Sequence, residues 1–216
     1  MSLIVFIGPS RIGKTYAMQQ WLLPTLLTNP SEVTSMAPPG GYGAILIHDP
    51  PTAGKPQGQY DGEHFEDVAA WRRAPRRPKV ACFSNPGLDA MCRAAVDFGR
   101  VVVCLDEGNR LIGNERKPPQ AADELINSGR HHGCLIIAGA RRLKSLHTSA
   151  RSNIELAYFG ALADPDDRDA AAEAAGIDAD KLRNVPEHSF LEWRRETGDV
   201  ALITVRDRRK ITLSSL

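Results

Sequence analysis

An eight-residue segment near the start of the chain has the residue types and spacing of a phosphate-binding loop. The segment reads Gly8-Pro9-Ser10-Arg11-Ile12-Gly13-Lys14-Thr15, which is G-x-x-x-x-G-K-T. In such a loop, backbone N–H groups point at phosphate oxygens, and the dipole of the following helix favours their negative charge. Lys14 can place its ammonium between the β- and γ-phosphates, and Thr15 can offer its hydroxyl to Mg²⁺. These eight residues predict a nucleotide site for ATP with Mg²⁺.

The residues around this loop support the interpretation. An apolar run at 3–7 precedes the loop, and a helix-like stretch begins at Lys14. A strand, a glycine-bracketed loop and a helix, in that order, are the context that a P-loop requires. Gly8 and Gly13 permit backbone angles that a Cβ would obstruct. The alternative is a chance match in an ordinary turn.

A second apolar run ends in two acidic residues. Residues 101–105 are all apolar and lead directly into Asp106 and Glu107. This pattern is typical of a Walker B strand, in which Asp106 would hold Mg²⁺ through a water and Glu107 would polarise the attacking water as general base. The alternative is a strand that ends in a solvated acidic turn. With the loop, the pair predicts hydrolysis rather than phosphoryl transfer to a small molecule.

Short apolar runs alternate with helical patterns and predict an α/β fold with a mostly parallel sheet. We expect strands at 3–7, 44–48, 79–83, 101–105, 134–138 and 155–160. We expect helices at 14–27, 63–72, 88–98, 119–131 and 166–175, the last capped by Asp164 and closed by Gly176. Residues 189–194 and 200–206 flank a polar turn and predict a β-hairpin.

Length and composition indicate one domain over residues 1–216, with a core at 1–186 and a C-terminal hairpin extension at 187–216. The net charge of +1 gives no overall attraction to nucleic acid. No apolar run approaches the ~20 residues of a membrane span, so we expect no membrane segment. The four cysteines form no C-x-x-C pair, which favours a reduced, cytosolic protein without a zinc site.

A third pattern gives the chain a family resemblance. Residues 127–133 close a predicted helix with Gly129-Arg130-x-x-Gly133 and precede an apolar strand. The P-loop, the Asp-Glu strand end and this segment, in that order, resemble the FtsK–HerA superfamily of DNA-pumping ATPases. Residues 180–190 and the hairpin are similar to the "leucine, small loop, proline, glycine, phenylalanine" ending of that family. The compact chain most resembles the genome-packaging ATPases of membrane-containing icosahedral viruses.

This resemblance implies a RecA-like (ASCE) P-loop NTPase that forms a homo-oligomeric ring, usually a hexamer, with each nucleotide between neighbouring subunits. It also implies an arginine supplied in trans, a role that suits a permanently charged group able to bond two phosphate oxygens. Arg130 is the first candidate for this finger, and the alternatives are Arg141, Arg142 and Arg151. Each can equally be an ordinary solvated arginine. His131 and His132 are interpreted as interface or surface residues rather than as ligands.

The chain departs from the family pattern at the γ-phosphate sensor. Many members end the strand after Walker B with a polar sensor, often glutamine, and Ala140 occupies about that place. Either Arg141 substitutes, or the sensor comes from Ser84 and Asn85, or the alignment is one residue out. Asp49 could contact the metal or the water, although an aspartate before two prolines is more often a turn initiator.

Basic clusters are the features that point to nucleic acid. The largest carries five positive charges in a proline-interrupted loop: Arg72, Arg73, Arg76, Arg77 and Lys79. Smaller clusters comprise Arg141, Arg142 and Lys144, and Arg206, Arg208, Arg209 and Lys210. Several subunits that aim such a loop at a central channel would contact phosphates without reading bases. The alternative is a solvated charged face. Aromatic residues are too few, at 6%, to favour stacking on single strands over contact with a duplex backbone.

Residues and resemblance together predict an ATP-hydrolysing motor that translocates double-stranded DNA. The resemblance implies packaging of a viral genome into a preformed capsid, with capsid vertex proteins as further partners and a location in the host cytoplasm or on the virion. A phage assembly or export ATPase that acts on protein is the first alternative. A small-molecule P-loop kinase is the second.

Overall fold

The computed structural model describes residues 3–35, 37–50, 58–84, 87–113, 117–205 and 209–212 of the chain. Ten strands of these residues form one sheet: β1 Leu3–Ile7, β2 Ala44–His48, β3 Glu63–Phe65, β4 Val80–Phe83, β5 Val101–Leu105, β6 Leu135–Ala140, β7 Ile154–Phe159, β8 Ser189–Arg194, β9 Val200–Thr204 and β10 Arg209–Thr212. Their order across the sheet is β10-β9-β8-β7-β1-β6-β5-β2-β4-β3. The seven strands from β7 to β3 are parallel, and β8, β9 and β10 extend the sheet in antiparallel pairing.

The central strands are apolar at every position because both faces of the sheet are covered. All residues of β1, β5 and β6 are buried, as expected for parallel strands enclosed on two sides. Alternate side chains of β1 enter two different cores, positions 3, 5 and 7 on one face and positions 4 and 6 on the other. Continuous apolar runs therefore predicted these strands correctly.

Helices pack on both faces of the sheet. The α-helical segments of the described residues are α1 Lys14–Ala17, α2 Leu23–Thr28, α3 Val68–Arg73, α4 Leu88–Phe98, α5 Gly108–Leu111, α6 Gln120–Ser128, α7 Thr148–Ser152, α8 Pro165–Ala175 and α9 Ala179–Arg183. The predicted cap of α8 is confirmed, since the Asp164 carboxylate accepts from Asp167 N and Gly176 ends the helix at φ +64°. No helix among the described residues has the length and hydrophobicity that a membrane crossing demands.

The helix that follows the P-loop is interrupted by a π-helical turn. The chain passes from α1 through Met18–Leu22 into α2, which carries Pro24 in its first turn. Pro24 has no N–H to donate to the carbonyl four residues back, and its ring crowds that carbonyl. The wider π turn accommodates this local defect. The predicted helix at 14–27 is present, but it is not regular.

The helix predicted at 63–72 is wrong in its first part. Residues 63–65 form the edge strand β3, paired in parallel with β4. The helix begins only after Asp67, whose carboxylate accepts from Ala70 N at 2.6 Å. Pairing along the sheet edge outweighed the local helical pattern. The predicted helix at 119–131 ends as an α-helix at Ser128 and continues as the 3₁₀ turn Gly129–His132.

The predicted C-terminal hairpin is confirmed as β8 and β9, which continue the same sheet beside β7. The order β7-β1-β6-β5-β2 places one strand between the P-loop strand and the strand that leads to Asp106. This is the RecA-like arrangement, so the predicted fold class is confirmed. The carboxyl ends of the parallel strands meet at one side of the sheet, here named the carboxyl edge, and the opposite side is named the amino edge.

Candidate active site

The P-loop follows β1 at the carboxyl edge, and close packing fixes its backbone. Gly8 N donates to Ala140 O at 3.1 Å, which ties the start of the loop to the end of β6. A Cβ on Gly8 would lie 2.4 Å from Ile12 Cδ1, and a Cβ on Gly160 would lie 2.1 Å from the same atom. The two glycines therefore leave room for the Ile12 side chain, which packs into the core below the loop. Gly13 has φ +97°, a conformation that favours glycine.

Lys14 lies over the loop that precedes it. Its Nζ donates to Gly8 O at 2.7 Å and to Pro9 O at 2.8 Å. Burial lowers the pKa of Lys14 to about 8, with a smaller lowering from Arg141, while Asp106 and Glu107 oppose this shift. The ammonium is thus held where phosphate oxygens could replace the two carbonyls and restore an ordinary pKa.

Thr15 contacts the predicted Walker B aspartate directly. Thr15 Oγ1 donates to Asp106 Oδ2 at 2.8 Å and lies 3.1 Å from Oδ1. Burial raises the pKa of Asp106, and the Thr15 hydroxyl and Lys14 partly offset that effect. A hydroxyl and a half-buried carboxylate side by side are the hard oxygen donors that Mg²⁺ prefers. The residues therefore fit the predicted metal, whose charge would favour the ionised carboxylate.

Glu107 follows at the start of α5 and is half-buried. Its charge raises the pKa of Lys14 and of Asp106, which places it within electrostatic reach of both. Two glycines allow this part of the chain to lie against β6. A Cβ on Gly108 would meet Ala138 Cβ at 2.7 Å, and one on Gly139 would meet Asp106 O at 2.3 Å. The site therefore depends on close approach of the ends of β5 and β6.

Asp49 lies next to this group but is used by the backbone. It is 2% exposed. Its Oδ1 accepts from Gln59 N at 2.7 Å and its Oδ2 accepts from Tyr60 N at 2.9 Å. Both oxygens thus accept hydrogen bonds from the backbone of the segment that leads to β3. This favours a role for Asp49 in holding the turn over a contact with metal or water. Its negative charge contributes to the raised pKa of Asp106.

The four candidate arginines occupy different edges of the sheet. Arg141 follows β6 at the carboxyl edge, near enough to Lys14 to lower its pKa. Arg142 pairs within its own chain, at 2.7 Å with Asp164 and 3.3 Å with Asp167. Arg130 and Arg151 precede β6 and β7 and therefore lie at the amino edge. Only Arg141 and Arg142 follow a strand toward the chain's own P-loop.

The sensor alternatives are only partly covered by the structure. Ala140 is 1% exposed, and its carbonyl is bonded to Gly8 N. A non-polar, buried side chain cannot report on a phosphate. Asn85 lies outside the described residues, whereas the charge of Arg141 lowers the pKa of Lys14. The position of Arg141 therefore favours it among the alternatives that the sequence left open.

The large basic cluster is not brought to the nucleotide site. It spans the end of α3 and the turn before β4, and so lies at the amino edge. Arg72 pairs with Asp97 at 2.6 Å, and Arg77 lies 4.3 Å from the centroid of the Phe98 ring. The side chains of Arg73 and Arg76 are exposed. Of the C-terminal cluster, residues 206 and 208 lie outside the described residues, and the side chains of 209 and 210 are not described.

Residues that the sequence motifs did not identify border the loop on one side. A pocket of about 350 Å³ is lined by Gly13, Tyr16, His188 and Val205. Tyr16 directly follows the P-loop, so an aromatic residue at that position was a usable sequence signal. His188 precedes β8 and Val205 follows β9. His188 lies in the 180–190 segment of the family resemblance but was not predicted as a site residue, and Val205 carries no motif. Their proximity to the loop depends on the antiparallel extension of the sheet.

Several solved structures share this fold, although no protein-family model and no curated protein matches the sequence. The genome-packaging NTPase B204 of Sulfolobus turreted icosahedral virus 2, in complex with ATP-gammaS, has a TM-score of 0.74 at 16% identity, over 93% of this chain and 96% of that chain. B204 of Sulfolobus turreted icosahedral virus, a DNA-packaging ATPase, has a TM-score of 0.66 at 16% identity, over 93% of this chain and 96% of that chain. The pCW3 conjugation coupling protein TcpA has 0.60 at 14% identity, over 98% of this chain and 60% of that chain. The resemblance is confirmed at the level of the fold.

Proposed function

We propose that this chain is an ATP-hydrolysing motor that moves double-stranded DNA, and that it packages a viral genome into a preformed capsid. The observation that carries the proposal is the meeting of Lys14, the Thr15–Asp106 pair and Glu107 at one edge of the sheet. The fold shared with two packaging NTPases and a conjugation coupling protein supports DNA as the cargo.

The position of each residue suggests its role. Bound ATP would supply the bond that is broken, and Mg²⁺ would neutralise charge on the phosphates. Lys14 and the loop N–H groups would hold the phosphates in place of the carbonyls that Lys14 contacts here. Thr15 and Asp106 would hold the metal. Glu107 would orient the attacking water and accept its proton.

The arginines divide between two roles in this proposal. Arg141 would act in its own subunit as the γ-phosphate sensor, since its charge already reaches Lys14. Arg130 and Arg151 are the candidates for the residue supplied to a neighbour, because they lie at the edge away from their own P-loop. A ring, usually a hexamer, would bring them to a second subunit. Attachment to capsid vertex proteins, in the host cytoplasm or on the virion, belongs to the same proposal.

The deciding experiment compares ATP turnover with and without linear duplex DNA, together with the mass of the assembly in a non-hydrolysable ATP analogue. We expect DNA to stimulate turnover and the analogue to favour a ring. Phosphorylation of a small acceptor would indicate a kinase instead. Stimulation by a phage protein, with none by DNA, would indicate an export ATPase. An assembly that remains monomeric would contradict the shared-site mechanism.

A further inference from the structure

The pocket lined by Gly13, Tyr16, His188 and Val205, here named the Tyr16 pocket, is continuous with the phosphate-binding loop. Gly13 belongs to both, as the second glycine of the loop and as a wall of the pocket. A Cβ on Gly13 would lie 3.6 Å from His188 Nδ1. The pocket volume, about 350 Å³, is within the usual range for small-molecule sites, about 300–1,000 Å³. A ligand whose phosphates occupy the loop could therefore extend directly into this pocket.

Tyr16 lines the pocket and has an exposed aromatic ring. Among the described residues, the exposed large hydrophobic side chains are Tyr16, at 53%, and Phe98, at 39%. Phe98 lies beneath the guanidinium groups of Arg72 and Arg77. In the part of the chain that the structure describes, no ring or guanidinium stacks on Tyr16. The Tyr16 ring is thus exposed next to the loop.

The opposite wall is held in place by the C-terminal strands. His188 adopts a left-handed conformation, with φ +57°. Its carbonyl accepts from Val205 N at 3.1 Å, which ties the residue before β8 to the residue after β9. Val205 is 7% exposed. An ordinary residue at positive φ needs support from its surroundings, and this bond helps to keep His188 beside Gly13.

We propose that the Tyr16 pocket binds the base of the nucleotide, in which a purine stacks on Tyr16 and packs against His188 and Val205. This inference rests on the proposed nucleotide-binding function. Planar heteroaromatic bases stack on aromatic side chains largely irrespective of their edge groups. The described walls include the Tyr16 ring, the His188 imidazole and the aliphatic Val205 side chain. Stacking on Tyr16 would favour ATP and GTP alike over pyrimidine triphosphates, because the larger purine covers more of the ring.

The test measures binding of Mg-ATP, Mg-GTP, Mg-CTP and Mg-tripolyphosphate by titration calorimetry. Tripolyphosphate keeps the phosphates and has no base. We expect ATP and GTP to bind with similar affinity and CTP more weakly. Tyr16→Ala should weaken ATP binding about tenfold or more and leave tripolyphosphate affinity unchanged. Tyr16→Phe keeps the ring and should recover most of the loss. Lys14→Ala should weaken the binding of both ATP and tripolyphosphate.

The outcomes separate this inference from the proposed function. Wild-type protein that binds neither ATP nor tripolyphosphate would overturn the nucleotide site itself. Wild-type binding of ATP that is equally strong in Tyr16→Ala would overturn the base pocket alone. An equal loss of ATP and tripolyphosphate in Tyr16→Ala would also overturn it, because the residue would then act on the loop. Asparagine tolerates the left-handed backbone at this position. His188→Asn should therefore weaken ATP binding and leave tripolyphosphate affinity unchanged.

Discussion

Thr15 and Asp106 are 91 residues apart in the chain, yet the Thr15 hydroxyl donates to the Asp106 carboxylate at 2.8 Å. One residue belongs to the P-loop and the other follows β5, and β6 separates the two strands. Their contact joins the phosphate-binding part of the site to the part that would hold metal and water.

Glu107→Gln should retain ATP binding and lose turnover. The amide cannot accept the proton of the attacking water, and loss of general-base catalysis typically costs about 10²–10⁴ in rate. ATP affinity by calorimetry and phosphate release are the two measurements. Glu173→Gln, an exposed change in α8, is the matched control and should turn over normally. Near-normal hydrolysis by Glu107→Gln would show that another group is the base.

Asp106→Asn should abolish turnover and yet stabilise the metal-free protein at neutral pH. Burial raises the folded-state pKa of Asp106 above its unfolded value, so ionisation penalises the folded state. Stability therefore falls as pH rises from the unfolded-state pKa to the folded-state pKa, and the penalty is complete above the folded-state pKa. Melting temperatures of variant and wild type should converge as the pH is lowered into the acidic range.

The control for Asp106→Asn is Asp89→Asn, for which the opposite sign is expected. The backbone N–H of Ala121 and the side chain of Arg93 lower the pKa of Asp89, so its ionised form favours folding. This change should lower the melting temperature at neutral pH. Destabilisation by Asp106→Asn without Mg²⁺ would mean that its bond from Thr15 outweighs its burial.

Nucleotide binding should take up a proton between about pH 8 and pH 9. The pKa of Lys14 is about 8 in the structure, and a bound triphosphate would raise it by favouring the ammonium. Apparent ATP affinity should therefore fall as pH rises above 8. Calorimetry in buffers of different ionisation enthalpy reports the proton uptake. Lys14→Arg keeps its charge throughout this range, so its uptake should vanish whatever its affinity.

Gly160→Ala should disturb the P-loop through Ile12. The new Cβ would lie 2.1 Å from Ile12 Cδ1, and overpacking of this kind typically costs about 1–3 kcal/mol. Ile12→Val removes the Cδ1 methyl, so the double variant should recover both stability and ATP binding relative to Gly160→Ala. Denaturant unfolding of the four proteins gives the coupling energy. Additive effects would show that the two residues do not share this space.

Arg73→Gln with Arg76→Gln should reduce stimulation by duplex DNA without changing basal turnover. These side chains are exposed at the amino edge, whereas Arg72 and Arg77 contact Asp97 and Phe98. Each lost phosphate contact should lower the salt dependence of DNA binding by about one unit of slope. Lys181→Gln with Arg183→Gln removes two exposed charges in α9 and is the matched control. An unchanged salt dependence of DNA binding would show that these arginines belong to a solvated surface and do not contact DNA.

The sequence by itself determined the features that are local. The P-loop is continuous, so the spacing of its glycines, lysine and threonine was enough to predict it, and the structure places it between a strand and a helix. Asp106 and Glu107 followed from a single apolar run. The cap of α8 and the continuous apolar strands were correct for the same reason, because backbone preference and burial act over a few neighbouring residues.

The tertiary structure decided which of these local features meet. Strand order placed β6 between β1 and β5, and the charge of Arg141, which follows β6, lowers the pKa of Lys14. Residues 63–65, predicted as part of a helix, form a strand because they pair with β4 at the edge of the sheet. The antiparallel strands β8 and β9 place His188 in the same pocket as Gly13. These relationships depend on pairing between distant segments, whose free energy comes from the whole sheet and leaves no periodic pattern in the chain.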